Sequence, residues 1–332
     1  MHDPLQVTRQ SESVYSYMMR DYFHRYLAGD IALREGRTVT RRQFIIAKSG
    51  IQNPNAIAAG VVTAAQRFSD AVALLRYNPK IDMTLLSEIN ALLKEQPAHL
   101  PVVRSNSLQL KSACGLYQHD CPAPILSLSI TQQALSEFET SEATIEQLMT
   151  LMATIINAHP FADGNGRTTR AIFEAVCSTK QYPHLSPYIF VLANNNMDAL
   201  LGFYRSLCND KFKVQGQQFF DDFLAWNTQF QQQHSTLLNK AAAKISSKML
   251  FVQTGDWYQP LLTCFWQNPI ISAKIMSAKI FAITGAKLGL DCLLSRQVIS
   301  LQSVHNEPCF VADDILHAHE AIEAVVFATS NH

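Results

Sequence analysis

Apolar residues recur at helical spacing over most of the chain. Ile145, Leu148, Met149, Met152, Ile155 and Ile156 follow an i, i+3, i+4 pattern, and Ile172, Phe173 and Val176 repeat it just downstream. Leu85, Ile89, Leu92 and Leu93 form a third such stripe. This spacing predicts amphipathic helices, each with one face in a core. The stretch from Gln96 to Pro124 has a different texture, because Pro97, Pro101, Gly115, Pro122 and Pro124 interrupt short apolar pieces such as Leu108 to Leu110. It predicts an irregular segment holding a small hairpin or flap. From Gln217 a long helix is predicted through Phe219, Phe220, Phe223, Leu224 and Trp226. It continues past Gln231 to Gln233 into Leu237, Leu238 and Ala241 to Ala243, with no Gly or Pro before Gly255.

Beyond Gly255 the pattern changes to a helix (Tyr258 to Gln267), an Asn-Pro turn and two short helices. Two alternating strands follow, Val298 to Leu301 and Cys309 to Ala312, around a polar loop. Three helices and a two-stranded hairpin, in that order, suggest a winged helix-turn-helix. No repeat of fixed period is evident.

Composition narrows the class. Glycine is scarce, 12 in 332 residues, about half of the usual ~7%. A turn-rich all-β fold or a glycine-rich dinucleotide fold is therefore disfavoured, and a mainly all-α protein is expected. The 27 Lys+Arg cancel the 27 Asp+Glu. This excludes a broad basic surface for nucleic acid or a polybasic membrane anchor as a property of the whole chain. Seven scattered cysteines without a C-x-x-C pair read as reduced thiols, and no basic-then-apolar leader precedes the first helix, so a cytoplasmic location is expected. The longest low-polarity stretch, Ala56 to Ala65, is too short to span a bilayer.

The chemistry is concentrated in His159-Pro-Phe-Ala-Asp-Gly-Asn-Gly-Arg-Thr-Thr-Arg170. Pro160 stops the preceding helix, Asp163 to Gly166 is a dense turn signal, and a new helix is predicted from about Arg167. Asn165 is a favoured N-cap, and Gly164 and Gly166 let backbone N–H groups crowd round a point without Cβ obstruction. A helix N-terminus of this kind cradles anions, phosphate above all. Arg167 and Arg170 share a face one turn apart and can grip the same anion, which their unfavourable place at a helix N-terminus calls for. Asp163 beside a polyphosphate is a natural Mg²⁺ ligand, and His159 can take a proton from an attacking hydroxyl. Taken singly, each residue has a plainer role: a turn, an Arg170–Glu174 pair, a capping or core histidine. Their coincidence at fixed positions favours the functional role. No Gly-Lys-Ser/Thr follows the glycines, so the segment is not a Walker loop.

These residues resemble the signature His-Pro-Phe-x-Asp-Gly-Asn-Gly-Arg-x-x-Arg of the Fic family, which they meet at every specified position. The resemblance implies a helical core in which the motif loop joins two central helices. It also implies transfer of AMP from ATP to a protein hydroxyl, with release of pyrophosphate. On that basis His159 is the general base for a Ser, Thr or Tyr hydroxyl and Asp163 holds Mg²⁺ between the α- and β-phosphates. The amides of Gly164 and Gly166 with Asn165 stabilise the α-phosphate, Arg167 grips the outer phosphates, Arg170 holds the γ-phosphate, and Phe161 anchors the loop. De-AMPylation, or transfer of another phosphate-linked group by the same fold, is an alternative chemistry, and a non-enzymatic winged-helix regulator is an alternative class.

The same resemblance reaches other segments. Ile31-Ala-Leu-Arg-Glu35-Gly36, followed by Thr40, is similar to the inhibitory Ser/Thr-x-x-x-Glu-Gly/Asn helix whose glutamate pairs with the second arginine of the site, with Ile31 in place of the hydroxyl residue. Leu200 and Leu201, after Asn196-Met-Asp-Ala, stand where the family often has a Tyr-Tyr pair against adenine. Pro101-Val-Val-Arg104 and Cys121-Pro-Ala-Pro124 resemble the ends of the target-clamping flap, which implies that the residues between them add a strand to an extended target segment. The expected organisation is an N-terminal helical region (1–80) with the inhibitory helix, a catalytic core (81–230), a connecting helix (231–255) and a winged-helix-like domain (256–332). That last region holds four basic residues against seven acidic ones between Asp256 and Glu323, and its predicted recognition helix, Gly285 to Leu294, offers only Lys287. DNA is therefore not the expected partner, and a scaffold or protein-docking role is. His317 and His319 do not share a helix face, so no metal site is expected there. The expected partners are ATP with Mg²⁺ and a hydroxyl-bearing target protein, which includes the chain itself. The low charge content is compatible with a homodimer.

Overall fold

The computed structural model describes residues 39–52, 54–78, 80–95, 103–111, 118–138, 143–179, 202–206, 213–280 and 283–328. Among them the chain is mainly helical with small antiparallel sheets. It divides into two compact units, one of residues 64–228 and one of residues 1–63 with 229–332.

In the unit of residues 64–228, α2 (Ala56–Tyr77) enters from the boundary and is followed by α3 (Met83–Leu93), strands β1 (Gln109–Lys111) and β2 (Gln118–Asp120), α4 (Pro124–Glu137), α5 (Ile145–Ala158) and α6 (Asn165–Thr179). Asp82 caps α3 by accepting from the Leu85 N–H at 2.9 Å. Thr144 and Gln147 form a reciprocal capping box at the start of α5, an arrangement that satisfies two otherwise unpaired amides. The predicted stripe of α5 is its core face, with Leu148, Met149, Met152, Ile155 and Ile156 all buried. That face packs against α4 and α6, and α3 packs against α6. The expected flap is present as an antiparallel pair with Leu110 opposite His119, extended by a 2.9 Å bond from the Cys121 N–H to the Leu108 carbonyl.

The other unit contains α1 (Arg41–Lys48), then, after the long helix α7 (Lys213–Lys248), α8 (Tyr258–Gln267), β3 (Ile270–Ser272), α9 (Ala273–Ile280), α10 (Ala286–Ser295), β4 (Ser300–Val304), β5 (Glu307–Val311) and α11 (Asp313–Ala328). Its sheet has the order β3-β5-β4, all antiparallel. Ile45, Ile51, Ile270, Cys309, Val311 and Leu316 form a core cluster. Strand β3 falls where helix was expected straight after the Asn-Pro turn. The hairpin strands run about two residues later and earlier than the apolar pattern suggested. Their register is set by His305 and Asn306, both at positive φ, the backbone that a two-residue hairpin turn needs. Val298 and Ile299 are buried but lie in the bend that follows α10, where both their N–H groups donate to the Leu293 carbonyl. The long helix α7 starts before Gln217 and ends at Lys248, well short of Gly255, where the chain turns through Phe251 at φ 64°. In α10 the apolar residues divide, Leu290 and Leu293 being core and Leu288 exposed. Gly289 is required there, since a Cβ would lie 2.3 Å from the Trp257 ring.

Candidate active site

Helix α5 ends in a left-handed residue, His159, at φ 53° and ψ 60°, whose N–H closes the last turn on the Ile155 carbonyl at 2.8 Å. Pro160 cannot continue the helix. Every carbonyl from Ile155 to Pro160 then has a donor. The Ile156 carbonyl takes His159 Nδ1 at 3.3 Å, and the Asn157 carbonyl takes His119 Nε2 from β2 at 2.9 Å. Ala158 takes Ser127 Oγ at 2.5 Å and Arg104 Nη2 at 3.2 Å. Arg104 Nε donates to the His159 carbonyl at 2.7 Å and the Arg104 N–H to that of Pro160 at 3.0 Å. The remaining Arg104 donors reach the carbonyls of Asn106 and Pro122. Arg104 is thus a buried clamp that ties the base of the flap to the motif loop.

Because a carbonyl only accepts, His159 Nδ1 carries the hydrogen and Nε2 keeps its lone pair. Burial pushes the imidazole below its usual pKa, the carbonyl of Ile156 works against that, and the Arg104 charge adds to it. The ring is neutral near pH 7, the state a general base requires.

Phe161 is fully buried and pairs with Val103 in an antiparallel bridge. The buried amide of Asn165 accepts from the Phe161 N–H at 3.1 Å and donates to its carbonyl at 2.9 Å. The Asn165 side chain therefore holds the loop shape, and the cap of α6 is Gly164, whose carbonyl accepts from the Thr168 N–H at 2.9 Å. This brings the start of α6 two residues ahead of the expected Arg167. Gly164 has φ 84°, and a Cβ on it would come within 2.7 Å of Asn90 Nδ2. A Cβ on Gly166 would meet Arg170 Nη1 at 3.2 Å, so the Arg170 guanidinium lies against the first turn of α6.

Asp163 is 57% exposed, and its Oδ2 accepts from Arg167 Nη2 at 3.1 Å and lies 3.8 Å from Lys94 Nζ. Arg167 Nη1 also reaches the Leu93 carbonyl at 3.4 Å. Arg170 is 7% exposed and Glu174 is buried one turn on, with Arg76 Nη2 at 3.9 Å from Glu174 Oε1. The structure thus gathers His159, Asp163, Gly164, Gly166, Arg167 and Arg170 at the meeting of α5 and α6, with Phe161, Asn165 and Arg104 as supports. Glu35, Gly36, Leu200 and Leu201 lie outside the described residues.

Sequence reading missed Asn90, whose Nδ2 donates to the Asp163 carbonyl and to Thr168 Oγ1, both at 3.0 Å. It also missed Lys94, His119 and Ser127. Asn90 had a usable signal, a polar residue between Ile89 and Leu92 on an apolar stripe, which in a core must have partners.

Residues 80–177 match the family model described as Fic/DOC family. The matched segment runs from the turn before α3 through nearly all of α6, so it includes the flap, the motif loop and Asn90. Among solved structures the chain is similar to a Fic domain containing signaling protein from Bacteroides thetaiotaomicron, at 17% identity and a TM-score of 0.41 over 59% of this chain and 77% of that one. It is also similar to a Fic family protein from Desulfovibrio desulfuricans, at 13% identity and a TM-score of 0.47 over 94% and 97% of the two chains. No curated protein matches it. Among the described residues no helix is long and apolar enough to cross a membrane.

Among those residues no three His, Cys, Asp or Glu side chains form a group that could hold a metal ion by themselves. The single exposed carboxylate of Asp163 fits an ion that takes its other ligands from phosphate oxygens and water, the usual way in which Mg²⁺ accompanies a nucleotide.

Proposed function

We propose that the Fic/DOC domain transfers AMP from ATP to a Ser, Thr or Tyr hydroxyl of a protein. The Fic/DOC family includes AMPylators and related transferases. The observation that carries the reading is the neutral His159, with Nε2 as its basic nitrogen, next to a helix N-terminus flanked by Arg167 and Arg170.

In this reading the hydroxyl oxygen attacks the α-phosphorus as its proton passes to His159 Nε2. The bond from that phosphorus to the bridging oxygen breaks, and pyrophosphate leaves. The amides at the head of α6 and the two arginines stabilise the charge on the phosphates, and such electrostatic positioning is the main catalytic factor in phosphoryl-type transfer. Mg²⁺ held through Asp163 would neutralise further phosphate charge. Arg104 positions His159 through two adjacent carbonyls and helps to keep the ring neutral. Glu35 is proposed to restrain the site, the contact running to Arg170 as in the family's inhibitory helix.

The test is label transfer from α-³²P-ATP with Mg²⁺ to protein. His159→Ala should lower transfer by about 10²- to 10⁴-fold, the range for loss of a general base, and Glu35→Gly should raise it. Label from γ-³²P-ATP retained on protein, or removal of AMP from a modified protein by the chain with Glu35 intact, would replace AMP transfer by one of the alternative chemistries.

A further inference from the structure

The sequence motif supplies two cations to the phosphate site, Arg167 and Arg170. The geometry points to a third, Lys94, which caps the C-terminus of α3 and lies outside the motif; we infer that it binds the β- and γ-phosphates of the nucleotide. The inference rests on the nucleotide reading above.

Three observations place Lys94 at the cradle. Its stem crosses the head of α6: a Cβ built on Gly164 would sit 3.2 Å from Lys94 Cδ and 3.4 Å from Cγ. Its ammonium lies 3.8 Å from Asp163 Oδ2, the same oxygen that accepts from Arg167 at 3.1 Å. Both cationic side chains are only 14% exposed. Two largely buried cations therefore share one oxygen of one carboxylate, and that carboxylate is itself mostly in water. One negative charge leaves a surplus positive charge in a site where water compensates poorly, and an anion is what such a site attracts.

The contact also has the right softness. At 3.8 Å it is an ion pair beyond hydrogen-bond length, and a lysine on a flexible four-carbon stem can exchange one anionic partner for another without moving the backbone. Asn90, one turn earlier on α3, donates to the Asp163 carbonyl. That bond fixes the distance between the end of α3 and the motif loop, so Lys94 is presented at the cradle by a rigid support. Gly164 has a second reason to lack a side chain: a Cβ would displace the Lys94 stem as well as Asn90.

The experiment is calorimetric titration of the full chain in the Glu35→Gly background with three probes: Mg²⁺-ATP, Mg²⁺-pyrophosphate and AMP. Lys94→Met keeps the stem and deletes the charge, and Lys94→Arg keeps the charge. Lys94→Met should weaken ATP and pyrophosphate at least tenfold and AMP less than threefold, with Lys94→Arg within about threefold of the parent for all. The inference is overturned if Lys94→Met binds ATP and pyrophosphate as the parent does. It is equally overturned if all three probes weaken together with a lowered melting temperature, which would make Lys94 only a cap on α3. Failure of the parent to bind ATP or pyrophosphate at all would instead remove the nucleotide reading beneath it.

Discussion

Both units of the chain bury a cationic side chain against helix ends, and the two clusters differ in how their charges close. In the unit of residues 1–63 and 229–332, Arg41 is 1% exposed. Its guanidinium donates to Nδ1 of His319 at 2.9 and 3.2 Å, while the Arg41 N–H, at the start of α1, donates to the Glu323 carboxylate at 2.9 and 3.0 Å. His319 Nδ1 must be the accepting nitrogen, so its Nε2 hydrogen goes to the Trp266 carbonyl at 3.3 Å. Arg41, the Glu323 carboxylate and the neutral His319 ring together staple α1 to α11. In the segment that matches the Fic/DOC model, Arg104 is likewise saturated by carbonyls, but Lys94 and Arg167 divide a single exposed carboxylate between them. The first arrangement is a strut between two helices; the second leaves two cations on one carboxylate, the feature on which the proposed phosphate site rests.

The comparison breaks first at Arg104. Arg104→Met strips donors from the carbonyls of Ala158, His159, Asn106 and Pro122 together. A loss of about 3 kcal/mol is expected from several unmade buried hydrogen bonds, read by urea unfolding, and transfer should fall with it because His159 loses its support. Arg41→Met should cost about 2 kcal/mol by the same measurement but leave the affinity for Mg²⁺-ATP within threefold. Equal loss of nucleotide affinity in both variants would mean that the two clusters are not functionally distinct.

The smallest effect is in pH. Burial lowers the pKa of His159, of His319 and, to about 3, of His234. Below the ordinary histidine value of about 6.5 the unfolded chain takes up protons that the folded chain refuses, so stability is highest above that value. It declines as pH falls through it towards the lowered folded values. A thermal-melt series from pH 8 to 5 should show melting temperature flat, then falling. Transfer should likewise be level above neutrality and decline only at acid pH, where His159 protonates. A decline beginning above pH 7 would contradict a lowered His159.

Much of this was legible in the chain itself. The core stripe of α5 and a small hairpin within the irregular stretch from Gln96 to Pro124 follow from spacing and proline placement, which are local. The motif loop was legible because its residues are contiguous. What was not legible is what other elements bring to it. Asn90 and Lys94 lie some seventy residues earlier, and nothing local says that α3 packs on α6. Asn165 was misjudged for a related reason: an asparagine beside a helix start is ordinarily a cap, and here Phe161, fixed by its bridge to Val103, offers the amide two better partners. Strand β3 and the register of β4 and β5 depend on pairing and on the His305-Asn306 turn, so apolar alternation alone set their limits about two residues off.

The most direct test of the central claim is mass spectrometry of protein adducts after the Glu35→Gly variant is mixed with ATP, Mg²⁺ and cell lysate, beside the same variant carrying His159→Ala. The account predicts AMP on hydroxyl side chains with the first and none with the second. Adducts that persist without His159, or that carry a group other than AMP, would contradict it.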